Sequence, residues 1–498
     1  MSSIGISSLL ILAFLEHVFH CDMLSFMARL HIRSSVHPHL FTVLVILTCL
    51  MPLVPLSAAS IMPPDIDPPN PSAVLLGGWV FPAQTYTSTA SATDDELVIK
   101  LQTIGRGDNV YEWFGHSALI VEKPHQPPIM YDYGIFDMDS DNFYWDFAQG
   151  RMFYRVISSD ARWRQQWVVE GQGREVSMVT LALSPALKNS VVSFLEFNTQ
   201  PGKDIYLYHQ YNDNCSTRIR DILDAATGGE FARWARTQPS TMTLRDHVRR
   251  HSASSPAWNL LLDFLQGRDI DKPLTLWEEM FLPEILEDAV LRFPWPQEST
   301  GSTLGEGRYM LSTEASLATR PSIAEKPPVV IWQALGAGLC LALIIRFFQY
   351  GRAKAPSPSM RRLAGGFERG FSFIILLALT IVSCVLFFMM VASTHDVTWW
   401  NENIVFANPL LIIPAFTSLK KHPRLYRGKR GPTGIQAMRK YTYVLLGMMV
   451  LKCTLPELLF QMNWNIMFFL LPVYAVLGWS YGKKTFDENA ANHYRNRY

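Results

Sequence analysis

The sequence lacks the features that would point to metal or nucleic-acid binding. Its 498 residues contain six cysteines, with no CxxC pair and no zinc spacing, at positions 21, 49, 215, 340, 384 and 453. This pattern predicts neither a structural metal nor a disulfide framework, and no motif indicates a cofactor. Basic and acidic residues also balance, at 44 and 43. Because phosphate binding needs a concentrated basic surface, the sequence indicates no nucleic-acid partner.

Long apolar runs are frequent in the second half of the chain, and they exclude an enzyme that is soluble throughout. A helix needs about 20 mostly apolar residues to cross a bilayer. The runs cover residues 329–345, 371–392, 441–460 and 466–480, with a weaker one at 404–418. The sequence therefore predicts an α-helical transmembrane domain of about five spans at 328–482, followed by a cytoplasmic tail at 483–498.

The loops between these runs predict the orientation of the chain. Segments 346–369 and 420–440 are rich in arginine and lysine, whereas 393–403 and 461–465 contain neither. Basic loops tend to stay in the cytosol, so we expect both basic segments there. With five spans, this topology places residues 60–327 outside the cytoplasmic membrane.

The N-terminal region has the organisation of an export signal. A basic segment, an apolar segment and a small-residue cleavage motif follow one another at residues 27–33, 39–56 and 57–59. This order is typical of a signal peptide, which we predict over residues 1–59 with a true start at Met23 or Met27. An uncleaved anchor is the alternative, and it would export the same downstream region. Residues 60–92 include a proline-rich stretch that is typical of a linker.

The exported part divides into two regions by its hydrophobic pattern. Residues 93–227 begin with short runs rich in β-branched and aromatic residues, such as ELVIKLQTIG and SMVTLAL, which predict strands. Helical spacing follows at 185–198 and 215–225. Residues 228–293 have the pattern of a helical hairpin or bundle, and we predict a helical extension over residues 228–327 that leads to the membrane. The predicted fold class is α+β, with this bundle as a helical extension.

Cys215 is the one cysteine expected outside the bilayer once the signal segment is removed, because positions 340, 384 and 453 fall in predicted spans. Turn and cap residues precede Cys215, and a helical pattern follows it. A thiol in the first turn of a helix meets free N–H groups and the positive end of the helix dipole, which lower its pKa. The pattern favours a thiolate nucleophile, and a buried inert cysteine is the alternative.

A thiolate nucleophile needs a proton acceptor, and the exported region offers five histidines. His116 follows a glycine at the start of an apolar strand, a rigid position that suits a general base. His209 lies six residues before Cys215 and is the main rival. His125 is expected in a turn. The solvated face of an arginine-rich helix is the expected place for the remaining two, His247 and His251.

Several strings in the same order carry a family resemblance. They are TIGRGDNVYEWFGHSALIV, IMYDYGIFDM, NFYWDFAQGRMFYRV and YLYHQYNDNCSTRIRDIL, with further likeness in DKPLTLWEEMFLPEIL and THDVTWWNENIVFANPL. Over roughly residues 94–226 they closely resemble the bacterial Lnb lipoprotein N-acyltransferase family. The order of a histidine strand before a cysteine helix also resembles circularly permuted NlpC-type papain relatives, which include lecithin:retinol acyltransferase-like enzymes. The resemblance implies a permuted papain-like domain and acyl transfer through a cysteine thioester.

Carried onto the matching positions, the resemblance implies Cys215 as the nucleophile and His116 as the base. Asp132, on the strand expected after the histidine strand, is the candidate that orients the imidazole, and a surface carboxylate is the alternative. Candidates for substrate binding are Asn214, Arg218, Arg220, Tyr111 and Trp113, with Trp145 as a further aromatic residue for acyl chains. Solvated or paired arginines and an aromatic core are the alternatives for these side chains.

The resemblance implies transfer of an acyl chain from a phospholipid, through a Cys215 thioester, to the α-amino group of a diacylglyceryl-modified lipoprotein cysteine. The implied partners are a phospholipid donor and a diacylated lipoprotein acceptor, at the bacterial inner membrane with the catalytic domain in the periplasm. Two other classes stay open: an NlpC-like amidase acting on peptidoglycan and a non-enzymatic binding protein. Within the predicted spans, the charged residues Lys452 and Glu457 suggest a function; a solvated position near the outer interface is the alternative for Glu457.

Overall fold

The structure, a computed structural model, describes residues 97–137, 142–295, 303–311, 322–419 and 433–479. The predicted signal segment, the linker, most of the second basic loop and the cytoplasmic tail lie outside the described residues. The chain divides into two compact units. Of the described residues, those within 97–259 and 270–328 form the sheet unit, and those within 260–269 and 329–479 form the helical unit.

One sheet of seven strands organises the described part of the sheet unit, and all its pairs are antiparallel. The strands are β1 (Val98–Ile104), β2 (His116–Glu122), β3 (Ile129–Ile135), β4 (Phe153–Asp160), β5 (Val176–Leu181), β6 (Ile205–Leu207) and β7 (Gly305–Met310). Their order across the sheet is β6-β4-β3-β2-β1-β5-β7. Strands β1 to β4 therefore form a meander in which β2 and β3 are interior neighbours.

Helices lie between these strands along the chain. They are α1 (Phe143–Gln149), α2 (Ala161–Gln166), α3 (Pro185–Asn198), α4 (Cys215–Ala226), α5 (Glu230–Arg236), α6 (Leu244–His251), α7 (Pro256–Leu265), α8 (Leu276–Glu279) and α9 (Pro283–Arg292). Residues 260–265 of α7 belong to the helical unit. Successive residues of β2 enter different cores, because side chains alternate between the faces of a strand. Leu119 belongs to the larger core with Ile219 of α4, and Ala118 and Ile120 belong to a smaller core with Val168. The strand that carries His116 is thus buried on both faces.

The mixed helix and sheet character predicted for the exported part is confirmed. The region 228–327 is predicted to be helical, but it also contains a strand. Gly305–Met310 forms β7, which pairs with β5 at the edge of the sheet. The segment GEGRYM has two glycines and no hydrophobic alternation, so its sequence gives no strand signal. The unpaired backbone N–H and C=O groups along the edge of β5 offer hydrogen bonds to this segment, and they favour a strand there although its own residues do not. The permuted papain-like arrangement and the boundary at residue 227 stay predictions.

The helical unit contains the apolar helices of the second half. They are α10 (Ile331–Lys354), α11 (Pro358–Ala392), α12 (Ile412–Ser418), α13 (Thr433–Thr454) and α14 (Trp464–Gly478). Among the described residues, α10 and α11 are long and apolar enough to cross a membrane, and α14 is a shorter apolar helix. At 1.5 Å per residue, α12 is about 10 Å long, which alone does not cross a hydrocarbon core of about 30 Å. The expectation of five spans stays a prediction.

A buried ion pair joins α13 to the segment before α12. Lys452 Nζ donates to Glu402 Oε2 at 2.6 Å and to the carbonyl oxygens of Leu459 and Gln461 at 3.0 and 2.7 Å. These three bonds use all three ammonium hydrogens. The other carboxylate oxygen of Glu402 accepts the Gln461 N–H at 3.1 Å. The charge on Lys452 is therefore fully accommodated within the helical unit, whereas Glu457 is exposed there.

Candidate active site

Cys215 is the first residue of α4, and its neighbours form a complete N-terminal cap. The Asn214 side-chain oxygen accepts hydrogen bonds from the Ser216 and Thr217 N–H groups, both at 2.9 Å. The Thr217 hydroxyl accepts the Asn214 N–H at 2.7 Å. Among the described residues, the Cys215 N–H itself has no hydrogen-bond partner. A free donor therefore lies beside the thiol, at the positive end of the helix dipole.

The segment that follows α8 holds this end of α4 in place. The Phe281 carbonyl accepts a hydrogen bond from Asn214 Nδ2 at 2.9 Å, and the Met280 carbonyl accepts one from the Ser216 hydroxyl at 2.8 Å. These contacts join stretches that are far apart in sequence. The residues lie in the string DKPLTLWEEMFLPEIL, whose likeness to the Lnb family is the one sequence signal that singles them out.

His116 begins β2, and Asp132 lies on the adjacent strand β3. Ala118 is opposite Asp132 in the strand register. Alternate residues of a strand share a face, so His116 and Asp132 are diagonal neighbours on one face of the sheet. The His116 Nε2–H group donates to Asp132 Oδ1. Asp132 is 1% exposed and His116 19%, so Asp132 is not a surface carboxylate.

Arg164 is a member of this cluster that no sequence pattern indicates. It lies on α2, and its guanidinium is 3.5 Å from the second carboxylate oxygen of Asp132. The same guanidinium lies over the Trp167 ring, 4.8 Å from its centroid. Asp132 is therefore held from two sides, by the imidazole and by a partly exposed arginine.

Cys215 and His116 form a hydrogen-bonded pair. Burial alone would lower the pKa of His116, but the Asp132 carboxylate and the Cys215 thiolate raise it from 6.5 to about 10. Burial would raise the pKa of the Cys215 thiol, but the facing imidazolium and the Ser117 backbone N–H bring it below its ordinary value of 9.0. Each group stabilises the charged form of the other. The arrangement favours a thiolate–imidazolium pair near neutral pH.

Two glycines with left-handed backbone shape the site. Gly115 has a φ of +75°, and a Cβ there would lie 2.8 Å from the Ile104 carbonyl oxygen. Gly134 has a φ of +85°, and a Cβ there would lie 3.8 Å from the Cys215 Cβ and 3.5 Å from the Tyr208 ring. Glycine adopts this conformation without steric cost. At Gly134 the missing side chain also leaves space beside the thiol.

Three predicted substrate-binding residues, Asn214 at the N-cap of α4 and Arg218 and Arg220 within it, have partners inside the sheet unit. Asn214 caps the helix as described. Arg218 donates to Asp213 at 2.7 Å and lies over a tyrosine ring. Arg220 donates to the Trp277 carbonyl at 2.9 Å and stacks on the indole of the same residue. These contacts give the three side chains structural roles, and a part for them in substrate binding stays a prediction.

The aromatic candidates separate into two environments. Trp113 is buried, and its indole N–H donates to the Asp108 carbonyl at 3.3 Å, so it belongs to the core. Tyr111 is exposed and meets Phe136 edge to face at 5.8 Å between ring centroids. Trp145 is exposed on α1. A contact with acyl chains is therefore geometrically open to Tyr111 and Trp145 but not to Trp113.

The rival base, His209, has a different place in the structure. Its Nδ1 accepts the N–H groups of Tyr211 and Asn212 at 3.2 and 3.0 Å. These bonds close the turn that leads to α4. The imidazole that bonds to the thiol is that of His116.

The other two rivals, His247 and His251, are buried, so their predicted place on a solvated face is wrong. His247 Nε2 bonds to Glu279 at 2.8 Å, and His251 stacks on Phe114 at 5.0 Å. Arg245, the first arginine of the same helix, α6, is also buried, and it pairs with the Asp271 carboxylate. The charges are paired inside the unit, and a charge pattern alone does not separate paired from solvated residues.

The described residues contain no cluster of three or more His, Cys, Asp or Glu side chains that could hold a metal ion.

Two family models match the chain. The Lnb N-terminal periplasmic domain matches residues 84–250, which include the candidate site, and the Lnb transmembrane domain matches residues 364–461. No curated protein and no solved structure matches. The two matches together cover more than half of the 498 residues, and the chain therefore belongs to the Lnb family, with a periplasmic domain followed by a transmembrane domain.

Proposed function

We propose that the protein is a membrane-bound, thiol-dependent N-acyltransferase that modifies bacterial lipoproteins. The observation that carries the proposal is the buried Cys215–His116–Asp132 cluster at the N-terminus of α4, in a chain of the Lnb family. A nucleophile, a base and a group that orients the base are the components of covalent acyl transfer. The proposed donor is a phospholipid, and the proposed acceptor is a lipoprotein with a diacylglyceryl-modified N-terminal cysteine.

The first half-reaction loads the enzyme. The Cys215 thiolate attacks the carbonyl carbon of a phospholipid acyl ester and forms a tetrahedral intermediate. Collapse of this intermediate breaks the ester C–O bond, and the His116 imidazolium gives its proton to the departing lyso-phospholipid alkoxide. Asp132 keeps the imidazole oriented and stabilises its positive charge before the transfer. The step leaves a Cys215 thioester, a neutral His116 and a lyso-phospholipid alcohol.

The second half-reaction unloads the enzyme. The α-amino group of the diacylated lipoprotein attacks the thioester carbonyl, and neutral His116 accepts a proton from the attacking nitrogen. The amide bond forms as the C–S bond breaks. The products are the N-acylated lipoprotein and the restored thiolate–imidazolium pair.

Both half-reactions place negative charge on the carbonyl oxygen of a tetrahedral intermediate. Backbone N–H groups that are fixed before the reaction stabilise such a charge, and loss of one donor typically costs about 10²–10³ in rate. The Cys215 N–H is the candidate donor, because the cap occupies the neighbouring N–H groups and leaves this one free.

Membrane attachment supports the proposal because both substrates are lipids. Helices α10 and α11 each have the length and composition of a membrane span. An enzyme tethered to the bilayer meets its substrates at a raised effective concentration without any additional contact.

A transfer assay with purified full-length protein tests the proposal. A diacylated lipopeptide and a phospholipid labelled in its acyl chain are incubated with the wild type, with Cys215→Ser, and with Cys340→Ser as a matched control in α10. We expect label on the lipopeptide amine with the wild type and the control. Cys215→Ser should nearly abolish both the labelled product and the lyso-phospholipid, because a serine hydroxyl is too weakly acidic to replace the thiolate.

Two other results would overturn the proposal. Cleavage of peptidoglycan fragments that depends on Cys215, without acyl transfer, would assign an NlpC-like amidase instead. Wild-type protein with neither activity would leave a binding role. In cells, mass spectrometry of lipoprotein N-termini gives an independent readout, since Cys215→Ser should leave them diacylated with a free amine.

A further inference from the structure

Helix α1 exposes several aromatic side chains to solvent, whereas soluble proteins normally bury such a cluster. Its seven residues, FYWDFAQ, include four aromatics, and none of the seven is buried. Tyr144, Trp145 and Phe147 are 74%, 54% and 47% exposed. Removing apolar surface from water is favourable, and an exposed aromatic cluster commonly marks a surface that binds a partner or ligand.

A continuous series of ring contacts leads from this helix to the thiol. Phe143 of α1 stacks on Phe136 at 5.8 Å, Phe136 stacks on Tyr154 at 4.9 Å, and Tyr154 meets Tyr208 at 4.5 Å between ring centroids. Tyr208 in turn borders the space left by Gly134 beside the Cys215 Cβ. We name Tyr208, Phe136, Phe143 and the exposed Tyr144 and Phe147 the aromatic track; Tyr154, which connects Phe136 to Tyr208, is itself a buried core residue.

The length of the aromatic track suits a lipid chain. An acyl chain in half of a bilayer with a hydrocarbon core of about 30 Å extends for about 15 Å. The three ring-to-ring steps between Tyr208 and Phe143 measure 4.5, 4.9 and 5.8 Å, so their combined length is comparable. A chain whose carbonyl carbon is at Cys215 would reach α1 with its distal end.

We infer that the aromatic track binds the acyl chain of the lipid substrate, with its carbonyl end at Cys215 and its distal end on Tyr144 and Phe147. The direction of the chain rests on the proposed function, since it follows from thioester formation at Cys215. An acyl chain fits these observations better than a protein partner does. A protein docked on α1 would account for the exposed rings but not for their continuation to the thiol.

Photo-crosslinking maps the chain without requiring turnover. Full-length Cys215→Ser protein is placed in lipid nanodiscs that contain a phospholipid with a diazirine either at the distal end or near the carbonyl of one acyl chain. We expect the distal probe to label the peptide with residues 143–147 and the carbonyl-proximal probe to label the peptide with Tyr208. Trp258, 43% exposed on α7, gives the reference peptide. Distal labelling of α1 no stronger than that of the reference peptide would overturn the inference.

A double variant, Tyr144→Ser with Phe147→Ser, removes the distal contacts. Both residues are exposed, so the thermal unfolding of the sheet unit should not change. Loss of two ring contacts with the chain should reduce distal cross-linking about tenfold, whereas Trp258→Ser should leave it unchanged. In the transfer assay the KM for a long-chain donor should rise about tenfold with an unchanged kcat, and a short-chain donor should be unaffected.

The two experiments separate failure of the inference from failure of the proposed function. Acyl transfer by the wild type, with unchanged long-chain KM in the double variant and no preferred distal labelling, would sink the aromatic track alone. Ordered labelling of α1 and Tyr208 without any transfer would keep the track as a lipid-binding surface and sink the acyltransferase. Equal loss of long-chain and short-chain activity would mean that α1 acts on the fold of the site, and it would also overturn the inference.

Discussion

The helical unit contains the ion pair Lys452–Glu402, and the sheet unit contains the pair Cys215–His116. The two pairs differ in how many of their hydrogen-bonding groups have partners. In the helical unit, the Lys452 ammonium uses all three hydrogens and both Glu402 oxygens have partners. In the sheet unit, the histidine of the Cys215–His116 pair keeps 19% of its side chain exposed, and the Cys215 N–H has no partner among the described residues.

This difference separates a structural charge pair from a reactive one. A fully partnered pair fixes the packing around it, and a substrate would find no free hydrogen-bonding group there. The cluster around Cys215 has a rigid frame from the α4 cap and β2, yet it leaves a nucleophile, a proton donor and a backbone N–H available. A buried charged group is a candidate for catalysis when its neighbours hold it in place but some of its hydrogen-bonding groups remain available to a substrate.

Among the variants that keep the Cys215 nucleophile, the largest effect should come from removing the base. His116→Ala should reduce acyl transfer about 10²–10⁴-fold, because the variant lacks the proton donor for the alkoxide and the cation that lowers the pKa of Cys215. The transfer assay measures the loss. The double variant with Cys215→Ser should be little worse than either single variant, since the two residues act as one unit. Multiplicative losses would argue against a coupled pair.

The structural pair should fail in a different way. Lys452→Met leaves the Glu402 carboxylate buried without its cation, which should destabilise the helical unit by about 3–5 kcal/mol. Thermal unfolding in detergent measures this loss, and Lys354→Met at the exposed end of α10 is the control. Adding Glu402→Gln should recover much of the stability, because the unpaired charge is then gone. Loss of transfer activity in a stably folded Lys452→Met protein would instead give the pair a functional role.

The core of the candidate site could be predicted from sequence because its signals are local. Asn214 before a helical pattern indicates a cap, and the residue after it must occupy the first turn. The glycine before His116 and the alternation after it indicate a strand start. Asp132 follows on the next strand of a meander, where neighbouring strands pair more often than not.

The rest depends on contacts between residues that are distant in sequence. Arg164 reaches Asp132 from α2, and the Phe281 carbonyl reaches the cap of α4, and no periodicity encodes either contact. The burial of His247 depends on Glu279 in the same way. β7 forms because β5 offers an open edge, so its own glycine-rich sequence did not predict it.

The ion pair itself can be measured by its pH dependence. The pKa of Cys215 is lowered, so the thiolate persists below pH 9.0, and the pKa of His116 is raised to about 10, so its imidazolium persists up to that pH. Alkylation of Cys215 should therefore stay fast below pH 9 in the wild type. In His116→Ala burial raises the thiol pKa instead, and each unit of increase slows alkylation about tenfold at a fixed lower pH. Equal alkylation profiles would refute the ion pair.

The rate of acyl transfer should also fall above a limiting pH, whereas the rate of alkylation should not. Above a pH of about 10, His116 loses its proton and can no longer protonate the leaving alkoxide, while the thiolate stays reactive. The transfer rate should fall there as the alkylation rate holds level. A parallel fall of both rates would point to unfolding, which circular dichroism at the same pH would detect.

The smallest effect should come from Arg164. Its guanidinium is partly exposed and 3.5 Å from the buried Asp132 carboxylate. At that distance the contact is weaker than a direct hydrogen bond, and solvent at the guanidinium reduces its contribution to about 1 kcal/mol. Arg164→Gln should therefore lower the kcat of transfer by no more than about fivefold and leave the KM unchanged, because Asp132 keeps its bond to His116. Arg162→Gln removes a neighbouring exposed arginine that pairs with Asp160 instead, and this variant should match the wild type. A loss with Arg164→Gln as large as that with His116→Ala would mean that the arginine, rather than the strand register alone, sets the orientation of Asp132.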